Sequence, residues 1–359
     1  MEKEKKERIV WIDLAKAFAI LGVLVDHAYD AALYQDWIWR RLTYYSVSLF
    51  MILLGVTSWF SYEKYAEKVA DKLKKDCLRI VRPYLVAAFF YFVVRYGAFD
   101  LINYLNGVVH FNICAPYYFV LLYLQTILIV PLLYAFLNAM RSRKFGIVFE
   151  VLGFVAVLVV AGLTTRYTNI LSVYGGGGKL FGGTYLCLVY LGMWFAMHYR
   201  RLSAGKAWIY RVLLPFGIAG TVLWWKLISA YGNAIDKALP LGASVNPPGI
   251  SYCVYALLVA GCFFLLDASV RNEKLRLPLS KLSLLGRHTL YIYLWHKLIL
   301  DYWLPTCFGN TILMDHIWPK RIVYYGCLIL LPVCIEYVAG MIGKAIGKAY
   351  GEVGKKRDE

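Results

Sequence analysis

Ten stretches of the chain are apolar for long enough to call for a hydrocarbon environment, with short polar segments between them. They run over about 11–30, 44–62, 84–98, 116–138, 147–164, 181–197, 212–231, 250–267, 288–304 and 322–342. A helix needs roughly 20 apolar residues to cross a ~30 Å hydrocarbon layer, and most of the stretches come near that length. The third and the ninth are short. The pattern predicts an all-α, polytopic membrane protein of about ten transmembrane helices. No internal repeat or soluble insert breaks it. Residues 1–359 therefore read as a single integral-membrane domain with polar tails at about 1–10 and 343–359.

Composition agrees: 60% of residues are hydrophobic and 17% charged, whereas soluble chains carry more charge and fewer unbroken apolar runs. The formal net charge of +17 would also suit a nucleic-acid partner, so its placement has to decide. The N-terminal tail, the connections around 64–82, 141–144, 200–211 and 271–287, and the C-terminal tail hold 28 of the 39 basic residues. The opposite connections hold seven. Lys and Arg collect in cytoplasmic loops of membrane proteins, so the alternation places both termini in the cytoplasm and excludes nucleic-acid binding. The first apolar run lacks a small-residue cleavage site and reads as a retained helix of a multi-pass plasma-membrane protein. None of the eight cysteines forms a C-x-x-C pair, and most fall in apolar runs as packing residues. Cys114 and Cys307 are the two placed to meet on the outer side.

Two connecting segments carry patterns of their own. In "SYEKYAEKVADKLKKDCLRIVRPY" (61–84), Tyr65, Val69, Leu73 and Leu78 form an apolar stripe beside a lysine face. That suits either the anionic inner leaflet or a solvated linker helix. In "VYGGGGKLFGG" (173–183), Lys179 precedes Leu180 rather than Ser or Thr and no strand comes before it, so the segment is not a phosphate loop. Its glycines fit a mobile or tightly turned outer loop.

The first helix holds the chemistry. Asp13, Lys16, Asp26, His27 and Asp30 interrupt an otherwise apolar run. Eleven residues separate Lys16 from His27, which at 100° per residue is only about 20° beyond three turns. The two side chains share a face at heights roughly 16 Å apart. Asp13 lies one turn below Lys16 and Asp30 one turn above His27. Ionisable groups at membrane depth are costly and face cavities or the bundle interior. Taken residue by residue, Asp13–Lys16 could be an ion pair only and His27 a packing residue; a shared polar face favours function.

The spacing within "IDLAKAFAILGVLVDH" resembles the opening of the acyltransferase-3 family of integral-membrane acyltransferases. That opening is an Asp, a basic residue three positions on, and a His eleven residues later. Lys16 stands where Arg is commoner, and Ala17 where Gly is usual. The likeness continues in "SVSLFMILLGVTSWFS" (46–61), "LRIVRPYL" (78–85), "PYYFVLLYLQTILIVPLL" (116–133) and "LGRHTLYIYLWHKLIL" (285–300). It covers residues 9 to about 300.

The resemblance implies transfer of an acyl group, commonly acetyl, from cytoplasmic acyl-CoA to a hydroxyl of a surface sugar, lipid or polymer precursor. It implies acyl-CoA as co-substrate, a surface glycan or lipid-linked acceptor, and no metal or bound cofactor. Asp13, Lys16, Arg79 and Arg82 become donor-binding candidates, since phosphates would sit at the basic inner face. His27 is the expected base with Asp30 orienting it, and an acyl-histidine intermediate is the alternative route. Gln125, Tyr293 and His296 are candidates for the acceptor side, although a helix–helix hydrogen bond would equally account for Gln125. Tyr291 and Tyr293 sit two apart on different faces of a helix, so at most one is expected at the site. Two other readings compete. A transporter or flippase would use Arg95, Lys226 and Lys297 along a pathway, and a lipid-linked glycosyltransferase would use Asp26, Asp30 and Asp36.

Overall fold

Every one of the ten apolar stretches lies on a helix in the computed structural model, which describes residues 9–30, 37–65, 68–167, 179–238, 241–242, 245–270, 272–309 and 316–355. The long helices are α1 (Val10–Asp30), α2 (Ser46–Tyr65), α3 (Val69–Tyr96), α4 (Tyr118–Arg141) and α5 (Gly146–Tyr167). They continue as α6 (Tyr185–Ser203), α7 (Ala207–Ala238), α8 (Ile250–Ser269), α9 (Thr289–Leu298) and α10 (Ile317–Lys355). No strand occurs among the described residues beyond one isolated bridge, Val245 to Pro248.

Seven of these helices, α2, α3, α4, α5, α7, α8 and α10, are long and apolar enough to cross a membrane. The other three owe their lower apolar length to what they carry. Helix α1 holds four charged residues, α6 ends in "HYRRLS", and α9 is ten residues long before it passes into a π-helical turn, Ile299–Trp303. All three contribute buried residues to the interior, including Ala15, Ala19 and Leu24 of α1, Leu188 and Met193 of α6, and Ile292 and Leu294 of α9.

Helices α2 and α6 meet at the centre through two glycines. A Cβ on Gly55 would lie 2.1 Å from the Val189 carbonyl oxygen, and one on Gly192 would lie 2.2 Å from that of Ile52. Within a membrane, helices gain little from burying apolar area, and small residues secure contact by letting backbones approach.

The 61–84 segment corrects one expectation. It is no separate amphipathic helix, because α3 begins at Val69 and runs unbroken through Pro83 to Tyr96, ending on Gly97 in the left-handed region (φ 68°). Val69 and Leu73 pack against the core, so this part of the stripe meets protein rather than lipid or solvent, while Tyr65 stays exposed. All eight cysteines carry free thiols. Cys114 is buried and Cys307 exposed, and they are not joined.

Candidate active site

Basic ends of several helices surround a chamber of about 1150 Å³. Asp13 and Lys16 of α1 line it, and their side chains form an ion pair at 3.6 Å. Arg79 and Arg82 of α3 line it as well, so all four donor-binding candidates share one space. Lys74, Lys75 and Arg287 join them. Six basic side chains then face three acidic ones, Asp13, Asp71 and Glu336, which leaves the walls net positive. Phe50, Phe60, Phe119 and Tyr123 supply an apolar and aromatic side.

Gly286 makes this convergence possible. A Cβ there would stand 1.8 Å from the Asp13 carbonyl oxygen, so only glycine lets the turn Leu284–Arg287 lie against α1. That contact brings Arg287 onto the chamber that the Asp13–Lys16 pair also lines. Beyond it, Thr289, Leu290, Tyr291 and Tyr293 all line the chamber. Tyr291 and Tyr293 therefore both reach the site, against the expectation that one would, because the whole beginning of α9 projects into the chamber wall.

Tyr293 closes the deep side. Its hydroxyl donates to the Pro116 carbonyl, and Tyr117 answers by donating to the Leu294 carbonyl at 3.1 Å. These two bonds clamp α9 to the turn Ala115–Tyr117 ahead of α4. One ring further in lies His296, 1% exposed, 5.6 Å from the Tyr293 ring centre. Its Nδ1–H donates to the Tyr293 carbonyl at 2.6 Å. Nε2 consequently presents a lone pair, and among the described residues nothing donates to it. His27, half-buried on α1, packs its ring against that imidazole at 4.9 Å between centres. Neither histidine lines the chamber; Tyr293 stands between it and the pair.

The remaining candidates are placed elsewhere or fall outside view. Gln125 lies away from the chamber, where its Oε1 accepts from the Phe181 N–H at 2.7 Å and pins the turn Leu180–Gly182. The side chain of Asp30 lies outside the described residues. Asp26 is engaged by Arg40 at 2.8 Å. Two of the charges assigned to a transport pathway are bonded locally: Arg95 donates to the Ile113 carbonyl at 2.8 Å, and Lys297 pairs with Asp301 at 2.9 Å. Among the described residues no cluster of His, Cys, Asp and Glu has the makings of a metal site.

Sequence reasoning missed Lys74, Lys75 and Arg287 as lining residues. Lys74 and Lys75 were legible as the lysine face of an amphipathic segment, but that face was assigned to the leaflet or to solvent. Arg287 looked like one more topological charge, and the glycine before it was the available signal.

Fold and site together define a polytopic helical membrane protein with a cationic chamber backed by a histidine pair. A family model described as an acyltransferase domain matches residues 9–341. The chain belongs to the acyltransferase-3 family of integral-membrane acyltransferases. No curated protein and no solved structure matches it. Membership ranks acyl transfer above the transporter and glycosyltransferase readings.

Proposed function

We propose that this protein transfers an acyl group, acetyl in the first instance, from cytoplasmic acyl-CoA to a hydroxyl of a cell-surface sugar, lipid or polymer precursor. The observation that carries the reading is the gathering of Lys16, Arg79 and Arg82, with three further cations, on one chamber whose deep wall touches the histidine pair. A diphosphate is held by cations that need not be deeply buried. The thioester arm, being flexible, enters along the aromatic side and passes Tyr293 to reach α1.

His27 then takes the proton of the acceptor hydroxyl as its oxygen bonds to the thioester carbon. The carbon–sulfur bond breaks, and His27 returns the proton to the departing CoA sulfur. Asp30, one turn on, orients the imidazole, while Asp13 and Lys16 position the donor. His296 and Tyr293 border the acceptor, whereas Gln125 acts through the outer turn it holds. In this reading ten helices cross the plasma membrane with both tails cytoplasmic, so the chamber opens to the compartment that supplies acyl-CoA.

Purified full-length protein in detergent tests the assignment. Acetyl-CoA and CoA should raise its unfolding temperature, and labelled acetyl should appear on hydroxyl acceptors in its presence. A thermal profile indifferent to both nucleotides removes the proposed donor.

A further inference from the structure

A second cavity of about 220 Å³ opens beside the chamber, between the end of α2 and the beginning of α3. Ser58, Ser61 and Tyr62 line it from α2, and Lys72, Asp76 and Arg79 from α3. Arg79 and Tyr123 line both cavities, so the guanidinium stands on their shared wall. Asp76 sits between two cations, with Lys72 Nζ at 2.5 Å and Arg79 at 3.9 Å. The pocket therefore carries one positive charge in excess. Lys72 Nζ also lies 4.7 Å from the centre of the Tyr62 ring.

Tyr62 supplies the second observation. The residue is 2% exposed and its hydroxyl is buried, yet among the described residues it has no hydrogen-bond partner. An orphaned buried hydroxyl destabilises a fold unless something arrives to satisfy it. Hydroxyl donors, an ammonium and a guanidinium around a small space fit a tetrahedral oxyanion. The volume takes a phosphate.

We propose that this side pocket binds the phosphomonoester of the nucleotide donor, the ribose 3′-phosphate of coenzyme A, while the chamber takes the diphosphate and the thioester arm. The inference rests on the acyl-CoA reading above and deepens it, since Arg79 on the common wall lets one ligand reach into both spaces. Tyr62, Ser58 and Ser61 donate to the phosphate oxygens. Lys72 turns from Asp76 toward the new anion, and Asp76 keeps the lysine poised when the pocket is empty.

Equilibrium binding of CoA and of 3′-dephospho-CoA to the full chain in phosphatidylcholine nanodiscs tests this. CoA should bind about tenfold or more tightly than its dephospho analogue, the scale of one charge-assisted contact. Tyr62→Phe and Lys72→Gln should each weaken CoA and narrow that gap, and Asp76→Asn should widen it. Equal affinity of the unaltered protein for the two ligands overturns the pocket and leaves the donor assignment standing. Binding of neither ligand overturns the donor assignment itself. A gap unmoved by all three substitutions places the phosphate elsewhere. A gap lost when the discs are made of phosphatidylglycerol gives the pocket to lipid headgroups, which also overturns the inference.

Discussion

The two ends of the polar face of α1 are built on opposite principles. At the end that the proposed topology makes the inner one, Lys16 is one of six cations around an open chamber, and its nearest acid, Asp13, is one of three. At the outer end, His27 meets a single imidazole whose Nε2 lacks a donor among the described residues. The first arrangement is redundant, since losing one positive charge leaves five. The second has no substitute for either ring. Binding a polyanion is a sum of modest terms, whereas proton transfer depends on one group at one place. Damage to the inner end should therefore be graded, and damage to the outer end close to complete.

His27→Ala is the sharpest attempt to break that contrast. It should lower turnover about 10³-fold, within the span of general acid–base catalysis, while CoA affinity and the elution profile stay as they were. A variant that keeps full turnover would take the imidazole out of the reaction. Gly286→Val comes next, because it strikes the contact that joins the two halves of the chamber. Its Cβ would meet the Asp13 carbonyl, a backbone atom that can yield only if α1 moves. Overpacking of this kind costs about 1–3 kcal/mol, so the thermal midpoint should fall and CoA affinity with it. An unchanged midpoint would show that α1 and the Leu284–Arg287 turn are not pressed together as described.

Much of this was readable in the chain, and the boundary of what was readable is physical. The helix period alone placed Lys16 and His27 on one face, since that relation lies within a single helix. Arg79 and Arg82 line the same chamber as Lys16. What the residues could not report was which distant segments meet. Arg287 arrives through a glycine contact between parts of the chain more than 270 residues apart. Lys74 and Lys75 belong to a lysine-rich connection, where a lysine that satisfies topology and one that faces a ligand look alike. Tyr291 was set aside on helical geometry that is correct, but the chamber wraps around the helix end. The apolar runs, too, reflect lipid contact more than depth. In the most apolar part of α7 only 6% of residues are buried in the protein, against 72% in α2. Helix α1, whose apolar residues are mostly buried in the protein, is freer to carry polar ones.

Lys16→Met sharpens the inner half of the comparison. The chamber keeps five cations, but Lys16 is the one aligned with His27, so CoA affinity should fall about tenfold, one charge-assisted contact. The Michaelis constant for the acceptor should hold. If acceptor binding weakened and CoA binding did not, Lys16 would belong to the outer end and the division between donor and acceptor ends would fail.

Lys74→Gln should have the smallest effect, and its size matters as much as its sign. Lys74 is exposed on α3 beside Lys75. An exposed ion pair contributes about 0.2–1 kcal/mol and is screened by salt. CoA affinity should drop by less than about fivefold at low ionic strength, and the difference should shrink toward nothing near 0.5 M salt, where the Debye length is about 4–5 Å. The Lys16→Met loss should persist in the same buffer, because that ammonium sits partly buried against Asp13. Two lysines on one chamber would then respond differently to one change of solvent. A salt-resistant loss at Lys74 as large as that at Lys16 would mean that the inner end also depends on individual contacts, and its redundancy would be an illusion of counting charges.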